Sequence, residues 1–127
     1  MFKIVYTGNN NISNFKNIYL REVIYVKTIL LVCSAGMSTS LLVTKMQKAA
    51  IAQNFDVKIY AVSASELLLE AEKNPIDVIL LGPQVRYMED ELKNREVLKN
   101  IPIAVINMFD YGMMNGQKVL DFAKELI

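Results

Sequence analysis

The chain reads as an α/β domain, a three-layer sandwich around a four-stranded parallel sheet with strand order 2-1-3-4. Two observations predict this. From residue 27 onward, short continuous apolar runs alternate with longer amphipathic segments, and unbroken apolar runs are the mark of strands buried on both faces. Strands that alternate with helices pair in parallel through right-handed crossovers. The first and third runs are the most apolar, and the order 2-1-3-4 places both at the centre of the sheet.

The first strand is Thr28-Ile29-Leu30-Leu31-Val32. Cys33 to Ser38 is small and polar with one glycine, so it forms a turn. Ser38 or Thr39 then caps a helix running to about Gln53. That helix puts Leu42, Met46, Ala49 and Ala50 on one face and Lys45, Gln47 and Lys48 elsewhere. Val57 to Val62 is the second strand, with Val57, Ile59 and Ala61 pointing one way. Ser63 or Ser65 opens a short helix through Glu72, which Asn74-Pro75 ends. Asp77-Val78-Ile79-Leu80-Leu81 is the third strand, closed by Gly82-Pro83. A helix from about Val85 to Val97 carries Arg86, Glu89, Asp90, Glu91, Lys93 and Arg95, a solvated face. Ile101 to Ile106 is the fourth strand and Asn107 to Gly112 a loop. The last helix runs from about Asn115 to Ile127, with Val119, Phe122, Ala123 and Leu126 inward.

Residues 1 to 26 do not follow this pattern. They hold asparagine at 9, 10, 11, 14 and 17, and their apolar flanks could pair as a hairpin around Gly8-Asn9-Asn10. The expectation adopted is an N-terminal extension without a core of its own, followed by a single domain over 27–127. No methionine lies between Met1 and Met37, and Val26 is where a valine-type start codon could sit.

Composition narrows the function. The 127 residues suffice for one domain, and a formal charge of +1 offers no global attraction to nucleic acid or an anionic membrane. One cysteine cannot form an internal disulfide, and the chain shows no secretory signal pattern, which points to a reducing, cytoplasmic setting. There is no histidine. That removes Ser-His and Cys-His pairs and, with a single cysteine, argues against a metal site. Nothing in the sequence implies a cofactor.

The segment Cys33-Ser34-Ala35-Gly36-Met37-Ser38-Thr39-Ser40 lies between a buried strand and a helix start, where the order of the sheet reverses and ligands of open α/β sheets bind. Unpaired backbone N–H groups at the start of a helix can hold a phosphoryl group. The same dipole favours a thiolate, activating Cys33 without a histidine. Gly36 and its small neighbours let the backbone close around an anion, and Ser34, Ser38, Thr39 and Ser40 add hydroxyls. Read from the residues alone, a lone strand-end cysteine is equally a small buried hydrophobe, and a serine-rich turn equally a helix cap.

Cys33 to Leu42, together with Leu80-Leu81-Gly82-Pro83-Gln84-Val85-Arg86-Tyr87-Met88 and the Tyr111-Gly112 region, resembles the lactose/cellobiose/chitobiose-type enzyme IIB of the bacterial sugar phosphotransferase system. The resemblance spans about residues 27 to 127. It implies a fold like that of low-molecular-weight tyrosine phosphatases. It also implies that Cys33 is phosphorylated by a phosphohistidine on enzyme IIA and passes the group to a sugar imported through the membrane component, enzyme IIC. The sugar would be a β-linked disaccharide such as cellobiose, chitobiose or lactose. The missing histidine is then supplied by the partner. Gln84 and Tyr87 are expected beside the Cys33 loop as a rim, although a helix start and a packing aromatic would explain them equally well.

The alternative is a phosphatase of the low-molecular-weight tyrosine type. That family clamps phosphate with an arginine six residues after its cysteine, where this chain has Thr39, and uses an aspartic acid for which only Asp110 is available. A redox enzyme of the arsenate-reductase kind would need resolving cysteines. A response-regulator-like module would need an aspartate at a strand's carboxyl end, whereas Asp77 sits at a strand start.

Overall fold

A computed structural model describes residues 26–34 and 37–127, for Met37 and Ser38 the backbone alone. The expectations for residues 1–25, and for Ala35 and Gly36, lie outside the described residues. Four strands, β1 (Lys27–Cys33), β2 (Val57–Ser63), β3 (Val78–Leu81) and β4 (Ile103–Val105), form one sheet in the order β2-β1-β3-β4. Every pairing is parallel, as the alternation predicts. Helices α1 (Met37–Ala52), α2 (Leu67–Lys73, preceded by a 3-10 turn over Ala64–Glu66), α3 (Glu89–Lys93), α4 (Met108–Gly112) and α5 (Gly116–Leu126) alternate with the strands.

Alternation along the central strands separates two cores. Ile29 and Leu31 of β1 and Val78 and Leu80 of β3 face Leu42 and Met46 of α1 and Val119, Leu120 and Ala123 of α5. Leu30, Val32, Ile79 and Leu81 face the other way, against Leu67, Val85, Leu92 and Leu98. The result is the three-layer sandwich. Both central strands lie out of water, which is why their sequence runs show no polar interruption. On β2, Tyr60 donates its hydroxyl to Glu70 of α2; burial and that carboxylate push the phenol well above the usual tyrosine range.

Several boundaries differ from the expectations. Helix α1 begins at Met37, so Ser38 and Thr39 lie within its first turn rather than at its cap. The expected helix from Val85 to Val97 is broken. A 3-10 segment over Pro83–Met88 leads into the short α3, and a second 3-10 turn spans Glu96–Leu98. Burial is the cause: Val85 leaves helical geometry (φ −115°, ψ 20°) as it is buried, and the turn at Asn94-Arg95 delivers Leu98 to the same core. The charges there pair locally, Lys93 with Glu89 (2.9 Å), Arg95 with Glu91 (2.8 Å) and Lys99 with Glu96 (3.0 Å).

The expected loop from Asn107 to Gly112 holds a helix instead. The Asn107 side chain accepts from the Asp110 N–H (3.0 Å) and its carbonyl accepts from the Tyr111 N–H (2.9 Å), closing α4. Strand β4 is shorter than expected, but the ladder continues past it: the Ile79 N–H donates to Pro102 and the Ile106 N–H to Leu81.

Candidate active site

Cys33 is the last residue of β1, opposite Ser63, at the carboxyl edge of the sheet and 3% exposed. The neighbouring β3 ends one residue before Gly82, whose N–H donates to the carbonyl of Val32 at 2.8 Å. The β1 ladder is thereby held to within one residue of the cysteine. Asp77 lies at the opposite edge, where it accepts from the Thr28 N–H at 2.7 Å.

Ser34 follows Cys33 as an exposed bend. Met37 and Ser38 contribute the first backbone N–H groups of α1, a 16-residue helix whose axis ends at this loop. Ser40 is exposed, and its carbonyl accepts from Thr44 Oγ1 at 3.2 Å. Thr39 is different. It is 1% exposed, and its Oγ1 lies 3.2 Å from the hydroxyl of Tyr111, itself buried at 6%. The position that holds the phosphatase arginine therefore carries a short, uncharged side chain tied to α4.

Gln84 stands beside Gly82: a methyl group built there would meet Gln84 Oε1 at 3.0 Å, the Val32 carbonyl oxygen at 3.4 Å and Tyr111 Cε1 at 3.7 Å. Gln84 thus lies against Gly82, the residue bonded to the end of β1, whereas Tyr87 is 78% exposed. A hollow of about 640 Å³ opens between them, lined also by Arg86, Met108 and Tyr111. Phe109 and Met113 are exposed nearby in sequence, on and just after α4. Asp110 lines a separate hollow with Val105, Val119 and Phe122, against the α5 layer, which does not suit a general acid for Cys33. Tyr111 escaped notice as a site residue because the segment reads as a loop; that the loop after β4 opens at the same sheet edge is the signal that could have found it.

A family model described as "PTS system, Lactose/Cellobiose specific IIB subunit" matches residues 28–122. Over 104 residues the chain is 48% identical to a galactose-specific EIIB component of Lactococcus lactis subsp. cremoris, covering 80% of this chain and 96% of the relative. The same identity and coverage hold for a cellobiose-specific EIIB component of Lactococcus lactis subsp. lactis. The solution structure of a cellobiose-specific phosphotransferase IIB component from Borrelia burgdorferi superposes with a TM-score of 0.64 at 43% identity, covering 80% of this chain and 91% of that one. The chain belongs to the lactose/cellobiose-specific IIB family, the phosphotransferase components of the sugar phosphotransferase system.

Proposed function

We propose that the protein is a cytoplasmic phosphocysteine carrier, with Cys33 as the nucleophile, enzyme IIA as donor and a sugar bound to enzyme IIC as acceptor. The observation that carries this reading is the position of Cys33 at a strand end, directly ahead of the start of a 16-residue helix. In the first step the Cys33 sulfur bonds to phosphorus as the phosphorus–nitrogen bond of a phosphohistidine breaks, and imidazole leaves. In the second step a sugar hydroxyl oxygen bonds to phosphorus, its proton passes to a base of the sugar-binding component, and Cys33 departs as thiolate. First-turn N–H groups from Met37 onward, with the hydroxyls of Ser34, Thr39 and Ser40, offset the phosphoryl charge in both steps.

A cysteine only 3% exposed accepts a group only from a donor that docks closely. The rim of Gln84, Tyr87 and Met108 suits such a partner, since exposed apolar side chains around a hollow mark a protein contact. The sugar is of the β-linked disaccharide class, and the relatives' names include both galactose and cellobiose. Among the described residues no helix is long and apolar enough to cross a membrane, so the membrane-spanning step falls to the partner.

A carrier must hold its thiophosphate until an acceptor arrives. With threonine in place of the arginine clamp, attack by water gains little help. Cys33 charged by a phosphohistidine donor is therefore expected to keep its phosphoryl group for minutes or longer without sugar. Intact mass followed over time after donor removal measures this, and rapid loss, or brisk turnover of an aryl phosphate, would favour the phosphatase reading. Residues 26–127 contain all four strands found among the described residues, so a chain starting at Val26 is expected to fold and accept phosphate like the full chain. A far lower melting temperature of the shorter chain would instead make residues 1–25 structural.

A further inference from the structure

Tyr111 raises a question that packing does not answer. A buried aromatic between β4 and α5 could be phenylalanine, whereas a tyrosine brings a hydroxyl out of water and requires a partner for it. That partner is Thr39, 72 residues away in sequence. Thr39 lies in the first turn of α1, where no preceding turn offers a carbonyl, and its hydroxyl is bonded across the sheet edge. The Tyr111 ring also lies against Gly82, whose N–H holds the carbonyl of Val32. One side chain therefore touches the start of α1 and the residue that braces the strand end next to Cys33.

We propose that Tyr111 is a positioning residue of the phosphoryl-binding loop, acting through Thr39. When the Tyr111 hydroxyl donates to Thr39 Oγ1, the Thr39 proton is directed away from that bond and is available to an anion held at the start of α1. The loop thereby gains an oriented neutral donor where a phosphatase has a guanidinium, which binds the phosphoryl group without the charge that promotes its hydrolysis. This role rests on the carrier reading for its consequence in transfer, but the orientation of Thr39 can be tested without any transfer.

The variants are Tyr111→Phe, which keeps the ring, Thr39→Val, which keeps the shape, the double variant, and Thr39→Ser, which keeps the hydroxyl. The first measurement is the rate of Cys33 phosphorylation per folded molecule by a phosphohistidine donor. The second is the concentration of inorganic phosphate that protects Cys33 from alkylation by iodoacetamide. Tyr111→Phe and Thr39→Val are each expected to slow phosphorylation about tenfold and to raise the protecting phosphate concentration about tenfold, with the double variant no worse than either. Thr39→Ser is expected to recover most of the loss seen in Thr39→Val. A purely structural tyrosine would lower the melting temperature and leave both readouts of the folded protein unchanged, which overturns the proposal, as do additive losses or a failure of phosphate to protect the unmodified protein. If the unmodified protein accepts no phosphoryl group while the protection shift remains, the carrier reading fails and the role of Tyr111 stands.

Discussion

Cys33→Ser is expected to accept no measurable phosphoryl group, a loss of at least about a thousandfold, while remaining folded. A serine hydroxyl is not ionised near pH 7 and becomes a nucleophile only with a base beside it. The chain has no histidine, and the residues that flank Cys33 along and across the strand end, Ser34 and Ser63, are neutral hydroxyls. The exchange puts a hydroxyl where a thiol was buried, at a cost of about 1–3 kcal/mol on mutational scales, so folding must be checked by circular dichroism alongside transfer. Intact mass after incubation with the phosphorylated donor, followed by peptide mapping, reads the outcome. A folded serine variant that still gains the phosphoryl mass would place the nucleophile elsewhere in the chain.

The largest effect on stability is expected from Gly116→Ala. Gly116 opens α5 and packs on the backbone of α1: an added Cβ would lie 2.5 Å from the carbonyl carbon of Lys45, 2.7 Å from its oxygen and 2.7 Å from the Met46 nitrogen. These are backbone atoms of a buried helix face and cannot swing aside as a side-chain tip can. The two helices must separate, and the shared core of Met46, Val119, Leu120 and Ala123 loosens with them. Overpacking of this kind costs about 2–3 kcal/mol, more than alanine's advantage over glycine in a helix. The melting temperature should fall by roughly 10–15 °C. Gly112→Ala is the matched control, because a Cβ there meets nothing within 4 Å; its midpoint in urea should stay level or rise slightly. Equal midpoints for Gly116→Ala and the unmodified protein would mean that α5 does not sit this close to α1.

Legibility from sequence followed the range of the interaction concerned. Strands β1 and β3 stand out because Ile29 to Val32 and Val78 to Leu81 are apolar on both faces, a local property of central strands. The region from Pro83 to Leu98 does not, because its charge pattern reads as one helix while Val85, Leu92 and Leu98 must all reach the same core. Helix α4 was missed since five residues are too few to show a period, although the Asn107 cap was there to be read. At the site, Cys33 and the small residues after it are contiguous, so strand end, cysteine and helix start could be read together. Gln84 falls against Gly82 because Gly82-Pro83 ends the strand adjacent to β1.

By itself, then, the amino-acid sequence determined the layer architecture, the strand order and the place of its one cysteine at a carboxyl edge of the sheet. Each of these rests on composition, periodicity or turn chemistry within a few neighbouring residues. Tertiary structure alone decided that Thr39 meets Tyr111, that Gly116 presses on Lys45 and that Asp110 lines the hollow against α5 rather than the one lined by Gln84 and Tyr87. Those pairings join segments distant along the chain, and no local periodicity records them. They are set by how closely the layers approach and by where a buried polar group can find its partner once water has been excluded.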